Sequence, residues 1–332
     1  MEKVTMTQIA AELGVSRSLV SYALKNKYGV SDRTKQIIVT KAIEMGYFKT
    51  PHATLKMTNN IVIIIGDEFL GEKSFFARII SGIEYFSVQK KFNPQIMAMK
   101  NDEDIEAFVA RIIDGKPRGV IVIRQFDKKL AKYFRQVNFP MVFLDLIDPS
   151  SDCFEVRVNN LGNMHKMTTY LVNKGFDKFT FVGDISWALS FYERYNGYLR
   201  ALEESGLKHT DILTKSKNKS IPFDDVAFEE YVRNNSGAVL VCANDSIAVQ
   251  IYEIIKRNGK MIPDDFSVVG FDDEYYAVNL NPPLTTMHVP KFELGRAAFE
   301  LLYEQLNYVD AESRIVCLNA KLVERHSIRQ IK

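Results

Sequence analysis

GVSRSLVSYALKN, residues 14–26, decides how the chain begins. Gly14 stops any helix that precedes it, because glycine accepts the left-handed turn at a helix end. Ser16 then reads as an N-cap, its hydroxyl placed to accept from a backbone N–H of a new helix. Beyond it Leu19, Val20, Ala23 and Leu24 recur at helical spacing, which leaves Arg17, Ser18, Ser21 and Tyr22 on the opposite side. Upstream, Thr5 reads as another N-cap, and Ile9, Ala10 and Leu13 share one helical face. Downstream, a third helix starts after Ser31, turns Ile37, Ile38, Ala42 and Ile43 inward, and ends near Gly46. Helix, glycine turn and capped helix form the helix-turn-helix outline, whose second helix enters a DNA major groove. A three-helix interaction module has the same outline.

Charge helps to separate the two readings. The chain carries a net +2, but residues 1–59 hold nine Lys or Arg against four Asp or Glu. That local +5 leaves −3 for the remainder. A basic head on a mildly acidic body is the asymmetry expected when only the head meets phosphate.

The texture changes after residues 49–60, KTPHATLKMTNN, a linker without helical or strand period. Short β-rich apolar runs follow at 61–66, 95–99, 120–123, 141–144, 179–183, 239–243 and 267–271. Amphipathic segments separate them at 75–90, 103–114, 127–137, 161–174, 191–205, 224–234 and 245–258. Continuous apolar strands alternating with helices predict parallel sheets covered on both faces. So many units exceed one ordinary sheet, so two similar lobes are expected, with a ligand at the carboxyl ends of their strands. The expected fold is an all-α helix-turn-helix head on an α/β two-lobed body of two parallel, doubly wound sheets.

Length and composition bound the class. At 332 residues the chain is long enough for two or three folding units, and 46% hydrophobic with 25% charged residues is an ordinary globular balance. Cys153, Cys242 and Cys317 stand far apart, which fits neither a disulfide framework nor a zinc site and suits a reducing compartment. The N-terminus lacks the apolar run of a secretory signal, and no stretch reaches the length of a membrane span. A cytoplasmic protein without membrane partners is expected. A secreted solute-binding protein would share the body but not the head. An enzyme is the other rival, yet the nucleophile-elbow, phosphate-loop and zinc-protease motifs are missing. His52, His165, His209, His288 and His326 are scattered without metal spacing. No catalytic residue, cofactor or metal is expected.

Specific motifs go further. GVSRSLVSYALKN (14–26) and VSDRTKQIIVTKAIEMGY (30–47) closely resemble the DNA-binding head of the LacI/GalR family. The body agrees in order at FFARIISGIE (75–84), RGVIVI (118–123), ERYNGYLRALEESG (193–206), ANDSIAV (243–249), IPDDFSVVGFDD (262–273), PPLTTMHVPKFELG (282–295) and LVERHS (322–327). The resemblance implies a periplasmic-binding-protein-like body and a dimer or tetramer on operator DNA. The tail after LVERHS has no heptad run for a tetramerising helix, which favours a homodimer. The division it implies is a head over 1–48, a hinge over 49–60 and an effector and dimerisation body over 61–332. Within the body, one lobe takes 61–160 with 290–325 and the other 161–289.

Carried over by motif position, base reading falls to Arg17, Ser18 and Tyr22, and phosphate positioning to Thr5, Thr7, Ser16, Ser21 and Asn26. For Ser16, capping alone stays open. The family's hinge helix wedges a Leu into the minor groove. Here PHATLK (51–56) is shortened and lacks the usual Arg, so Leu55 is either that wedge or a linker contact with the body. For the effector, the family positions point to Asp145, Arg194, Asn244 and Asp272, with Phe75, Trp187 and Phe223 as stacking surfaces. Asp145 could instead cap a loop, and the aromatics could be core. Asp245 is expected to cap the helix that follows Asn244. Carboxylate, amide, guanidinium and aromatic groups together suit a sugar or sugar derivative. A purine and a phosphorylated carrier protein are the alternatives.

Overall fold

A computed structural model describes residues 4–24, 30–45, 47, 58–66, 73–100, 103–123, 139–145, 153–209, 225–307 and 312–331. Asn26, Leu55 and Phe223, the greater part of the hinge and the expected helix over 127–137 lie outside the described residues.

The head is three helices, Met6–Leu13 (α1), Arg17–Leu24 (α2) and Asp32–Glu44 (α3). Each start is set by a hydroxyl. The Thr5 hydroxyl oxygen accepts from the Gln8 backbone N–H at 3.3 Å, and Gln8 Oε1 accepts from the Thr5 N–H at 2.7 Å, a reciprocal capping box. Ser16 Oγ accepts from the Leu19 N–H at 3.1 Å, and Ser31 Oγ from the Thr34 N–H at 3.2 Å. Gly14 stops α1 in the left-handed region at φ 63°, where a side chain would be strained. Ile9, Ala10, Val20, Ala23, Val30, Ile38 and Ala42 form the buried centre. Ile37, expected inward, is 51% exposed. At about 100° per residue one stripe buries Ile38 and Ala42, and the neighbour at position 37 is rotated away from it.

The body and head fall into two compact units, residues 1–156 with 292–316, and residues 157–291 with 317–332. In the first unit a six-stranded sheet is built from Asn60–Gly66 (β1), Asn93–Met99 (β2), Gly119–Ile123 (β3), Met141–Leu144 (β4) and Phe154–Val158 (β5), with Ile315–Leu318 (β10) at its edge. Its order is β10-β5-β4-β3-β1-β2, and the pairs from β2 to β5 are parallel. Ile61 to Ile65 are at most 2% exposed, which stabilises the fold by about 1.5–3 kcal/mol per side chain as an upper estimate. Helices Lys73–Gln89 (α4), Ile105–Asp114 (α5) and Lys291–Asn307 (α10) accompany it.

In the second unit Phe179–Val182 (β6), Val239–Cys242 (β7) and Ser267–Val269 (β8) form a parallel sheet in chain order. With it go Asn160–Asn173 (α6), Leu189–Glu204 (α7), Asp225–Asn234 (α8) and Asp245–Arg257 (α9). Thr286–His288 (β9) and Lys321–Val323 (β11) add a small antiparallel pair. Both sheets are parallel and alternate with helices, as the apolar runs predict. Strand β5 was not among those runs, because FEVRV sets Glu155 and Arg157 between its apolar residues.

Helices α4 and α10 touch backbone to backbone. A Cβ on Gly295 would lie 2.0 Å from the Ile79 carbonyl oxygen, and one on Gly82 would lie 2.2 Å from that of Phe292. Neither neighbour can swing aside, because both are backbone atoms. Gly295→Ala should therefore destabilise the protein by about 1–3 kcal/mol, read as a melting point several degrees lower in calorimetry. An unchanged transition would mean that these helices separate without cost.

Candidate functional site

In the second unit the functional candidates collect after the carboxyl ends of β6, β7 and β8, the end where an open parallel sheet presents its ligand site. Arg194, on the second turn of α7, is only 4% exposed. Its Nε donates to Asn160 Oδ1 at 3.0 Å, Nη1 to the Ala243 carbonyl at 2.8 Å, and Nη2 to Asp272 Oδ1 at 3.1 Å. The guanidinium also lies over the Phe271 ring, 3.9 Å from its centroid, with Phe191 further off at 5.8 Å. One cation thus ties together the start of α6, the end of β7 and the loop after β8. Three of its five N–H groups are used within the described residues, which leaves one on each terminal nitrogen without a partner among those residues.

Asp272 is held to match. Its φ of 112° lies in a region that costs a non-glycine residue about 1–3 kcal/mol. Its N–H donates to the Met287 carbonyl at 2.9 Å. Burial pushes its carboxyl up from the ordinary value, while Arg194 and then Lys291 pull it down. Lys291, 7% exposed, donates to the carbonyls of Asp272 and Asp273 and faces Glu274 Oε1 at 3.3 Å. Asp273 accepts from Arg325 at 2.7 Å and pairs with His288 Nδ1 at 2.8 Å. Burial opposes its charge, yet Arg325 and His288 outweigh it and hold the carboxyl below its usual value.

Of the two residues that open α9, Asn244 takes the capping role expected of Asp245. Asn244, expected as a ligand group, is the N-cap, its Oδ1 accepting from the Ile247 N–H at 3.0 Å. Asp245, expected as that cap, is fully buried. It accepts from Thr286 Oγ1 at 2.6 Å and from the Glu274 N–H at 2.8 Å, bracing the loop that carries Asp272. The cap belongs to the residue whose backbone is still extended, and here that is Asn244 at φ −155°. Trp187 is half-buried in the loop after β6, its backbone N–H donating to the Asp184 carbonyl at 3.0 Å. Asp184 fixes that loop by accepting from the Ser186 N–H and hydroxyl at 2.8 and 2.6 Å.

Asn160, Asp184, Phe271 and Lys291 escaped the sequence reading. Only Phe271 carried a local signal, standing within GFDD beside Asp272. In the first unit, Asp145 follows β4 at φ 53°, with its N–H on the Val156 carbonyl at 3.1 Å. Phe75, in the first turn of α4, sits edge-on to Phe76 at 5.2 Å. Among the described residues no three His, Cys, Asp or Glu converge as a metal site, and no helix is long and apolar enough to cross a membrane.

In the head, Arg17 and Ser18 are exposed on the first turn of α2, and Tyr22 is 46% exposed one turn later. Taking Arg17 as the origin at about 100° per residue, Arg17, Ser18, Ser21 and Tyr22 span about 140° of the helix, while Leu19, Val20, Ala23 and Leu24 fill about 200° to 340°. Ser21 is half-buried, Ser16 caps the helix, and Thr5 and Thr7 are exposed at the start of α1.

Asp245 generates a pH prediction. Burial, then repulsion from Asp272, pushes its carboxyl up to about 8. An acid whose folded value is raised holds its proton in the native state and loses it in the unfolded one. Stability should therefore be complete below the unfolded value near 4 and fall as pH rises towards about 8. Asp245→Asn keeps an acceptor for the Glu274 N–H and turns an amide N–H towards Thr286 Oγ1, which then accepts, and it cannot ionise, so its melting temperature should decline less over that window. Parallel melting curves for the two proteins would refute the assignment.

Residues 168–328 match the periplasmic binding protein-like domain. The HTH-type transcriptional repressor PurR of Vibrio atlanticus is 24% identical over 334 residues, covering 98% of this chain and 99% of the relative. Among solved structures, a complex of the transcriptional regulator CelR with cellobiose aligns with a TM-score of 0.70 at 20% identity, over 98% of this chain and all of that one. The Lac repressor dimer bound to operator and the anti-inducer ONPF aligns at 0.68 and 19%, over 98% and 99%. These relatives are regulators, not enzymes. A helix-turn-helix head, a match to the periplasmic binding protein-like domain in the body and likeness along the whole chain make this protein similar to HTH-type transcriptional regulators with Lac-repressor-like structures.

Proposed function

We propose that this regulator is a cytoplasmic repressor that grips a pseudo-palindromic operator as a homodimer and is switched by a sugar or sugar derivative held at the Arg194–Asp272 site. The observation that carries this reading is the buried Arg194, braced by Asp272 and Asn160 at the strand ends with one N–H left on each terminal nitrogen. Such a fork suits adjacent hydroxyls, and the half-buried Trp187 offers a face to a ring. The similarly folded CelR was solved with cellobiose. Asp145 and Phe75 of the first unit, Phe223 and the Asn244 amide complete the proposed effector set.

In the head, Arg17, Ser18 and Tyr22 read bases, while Thr5, Thr7, Ser16, Ser21 and Asn26 orient the head on phosphates. Leu55 of the hinge is the proposed minor-groove wedge. Effector and operator affinities are then coupled, and the coupling acts equally in both directions.

Two measurements test this. In a thermal-shift screen of sugars, sugar phosphates and purines, one sugar class should stabilise the protein, by about 2.7 kcal/mol at a hundredfold excess over Kd. Asp272→Asn should abolish that shift, since it removes the charge that sets Arg194. A response to purines alone would replace the sugar by a base stacked on Trp187. Silence across the panel would favour a protein co-regulator. On DNA, Arg17→Ala should cost about 1–3 kcal/mol of operator affinity and relax the preference at one base pair. Equal loss at every sequence would make Arg17 a phosphate contact instead.

A further inference from the structure

Parallel pairing brings the amino ends of β1, β2 and β3 together where the linker from the head joins the body. Thr58 is tied there through its N–H and its hydroxyl to the Lys116 carbonyl, at 3.3 and 3.0 Å. The Asn93 N–H donates to the Asn59 carbonyl at 2.8 Å, and the Arg118 N–H to that of Asn60 at 2.7 Å. The turns leading into β2 and β3 therefore flank this junction, and they carry Lys90, Lys91, Lys116 and Arg118.

Lys90 and Lys91 are exposed, and Lys116 and Arg118 are half-exposed. Lys90 Nζ lies 5.3 Å from the Tyr303 ring centroid, and the Arg118 guanidinium 5.2 Å from that of Phe92. These rings position the two cations without neutralising them. Among the described residues no carboxylate forms an ion pair with any of the four. Lys91 and Lys116 also stand at φ 63° and 48°, where glycine or asparagine is the easier choice. Part of this charge complements the carboxyl ends of α4 and α5. That role would be met by one cation at each helix end, and it does not require four unneutralised charges around one junction.

We propose that this rim is a second, sequence-independent contact with DNA, gripping backbone phosphates that flank the sequence read by the head. The inference rests on the DNA-binding role proposed above. Charge and tether both favour this partner. The rim presents donors and unbalanced positive charge, as phosphate requires. The eleven residue steps from Tyr47 to Thr58 limit its distance from the head to about 35–40 Å of extended chain, the length of roughly one turn of duplex.

The test uses the full-length protein and a 40-base-pair duplex enriched from random sequence on it, beside the same duplex trimmed to its enriched core. Lys90→Gln, Lys91→Gln and Lys116→Gln are combined, and Arg118 is kept because its stack on Phe92 also supports the fold. On the long duplex, affinity in 0.15 M salt should fall by at least about a hundredfold, and the slope of log K against log salt should become shallower by about 5, three contacts being lost from each protomer of the proposed dimer. On the trimmed core, variant and wild type should bind alike. Wild-type affinity and slope in the variant on the long duplex would overturn the rim contact and leave the DNA-binding role intact. An equal loss on both duplexes would place the contact inside the core and refute a flanking one. Failure of the wild type to enrich any duplex would overturn both readings.

Discussion

A guanidinium that is 4% exposed cannot wait for solvent to balance it, so its neighbours must do so where it stands. Around Arg194 that demand organises the carboxyl end of the second unit's sheet. It fixes the amide of Asn160 at the start of α6, the last carbonyl after β7 and the carboxylate of Asp272 beyond β8. Asp272 meets it only by adopting a positive φ, and the strained loop needs braces of its own. Lys291 holds two of its carbonyls, and Asp245 holds the N–H of Glu274 from beneath. One buried charge thus explains why acids and bases crowd a region that is otherwise packed with apolar strands.

Preorganisation is the functional consequence. A ligand that uses the remaining donors of Arg194 finds their direction already set, so little side-chain freedom is lost on binding. The head follows the same economy. Its caps are satisfied by Thr5, Ser16 and Ser31 within a single turn, so the exposed face of α2 is presented by a rigid element. In both places the candidate groups are held by bonds formed during folding.

Much of this is legible in the amino-acid sequence. The helix starts at Thr5, Ser16 and Ser31 are local hydrogen bonds spanning three residues, and the sequence carries them directly. The apolar runs at 61–66, 120–123 and 239–243 became strands because β-rich apolar stretches have one good outcome, the interior of a parallel sheet. Arg194 and Asp272 were found by their place in family motifs, and the contact between them was not. Strand β5 was missed because Glu155 and Arg157 interrupt its apolar character, and Ile37 was placed inward because two adjacent isoleucines look alike to a periodic pattern.

The amino-acid sequence by itself determined the head, the alternating α/β body and the ends of strands at which ligand chemistry would gather. Those features follow from period, capping and breakers, which act over a few residues. Only the tertiary structure decided which of Asn244 and Asp245 caps α9 and which braces a distant loop, and that Asn160 and Lys291 belong to the site. The reason is physical. The partners of Arg194 lie 34, 49 and 78 positions away along the chain, and Asp245 reaches Thr286 across 41. Hydrogen bonds of that span are set by packing in three dimensions, and no local pattern encodes them.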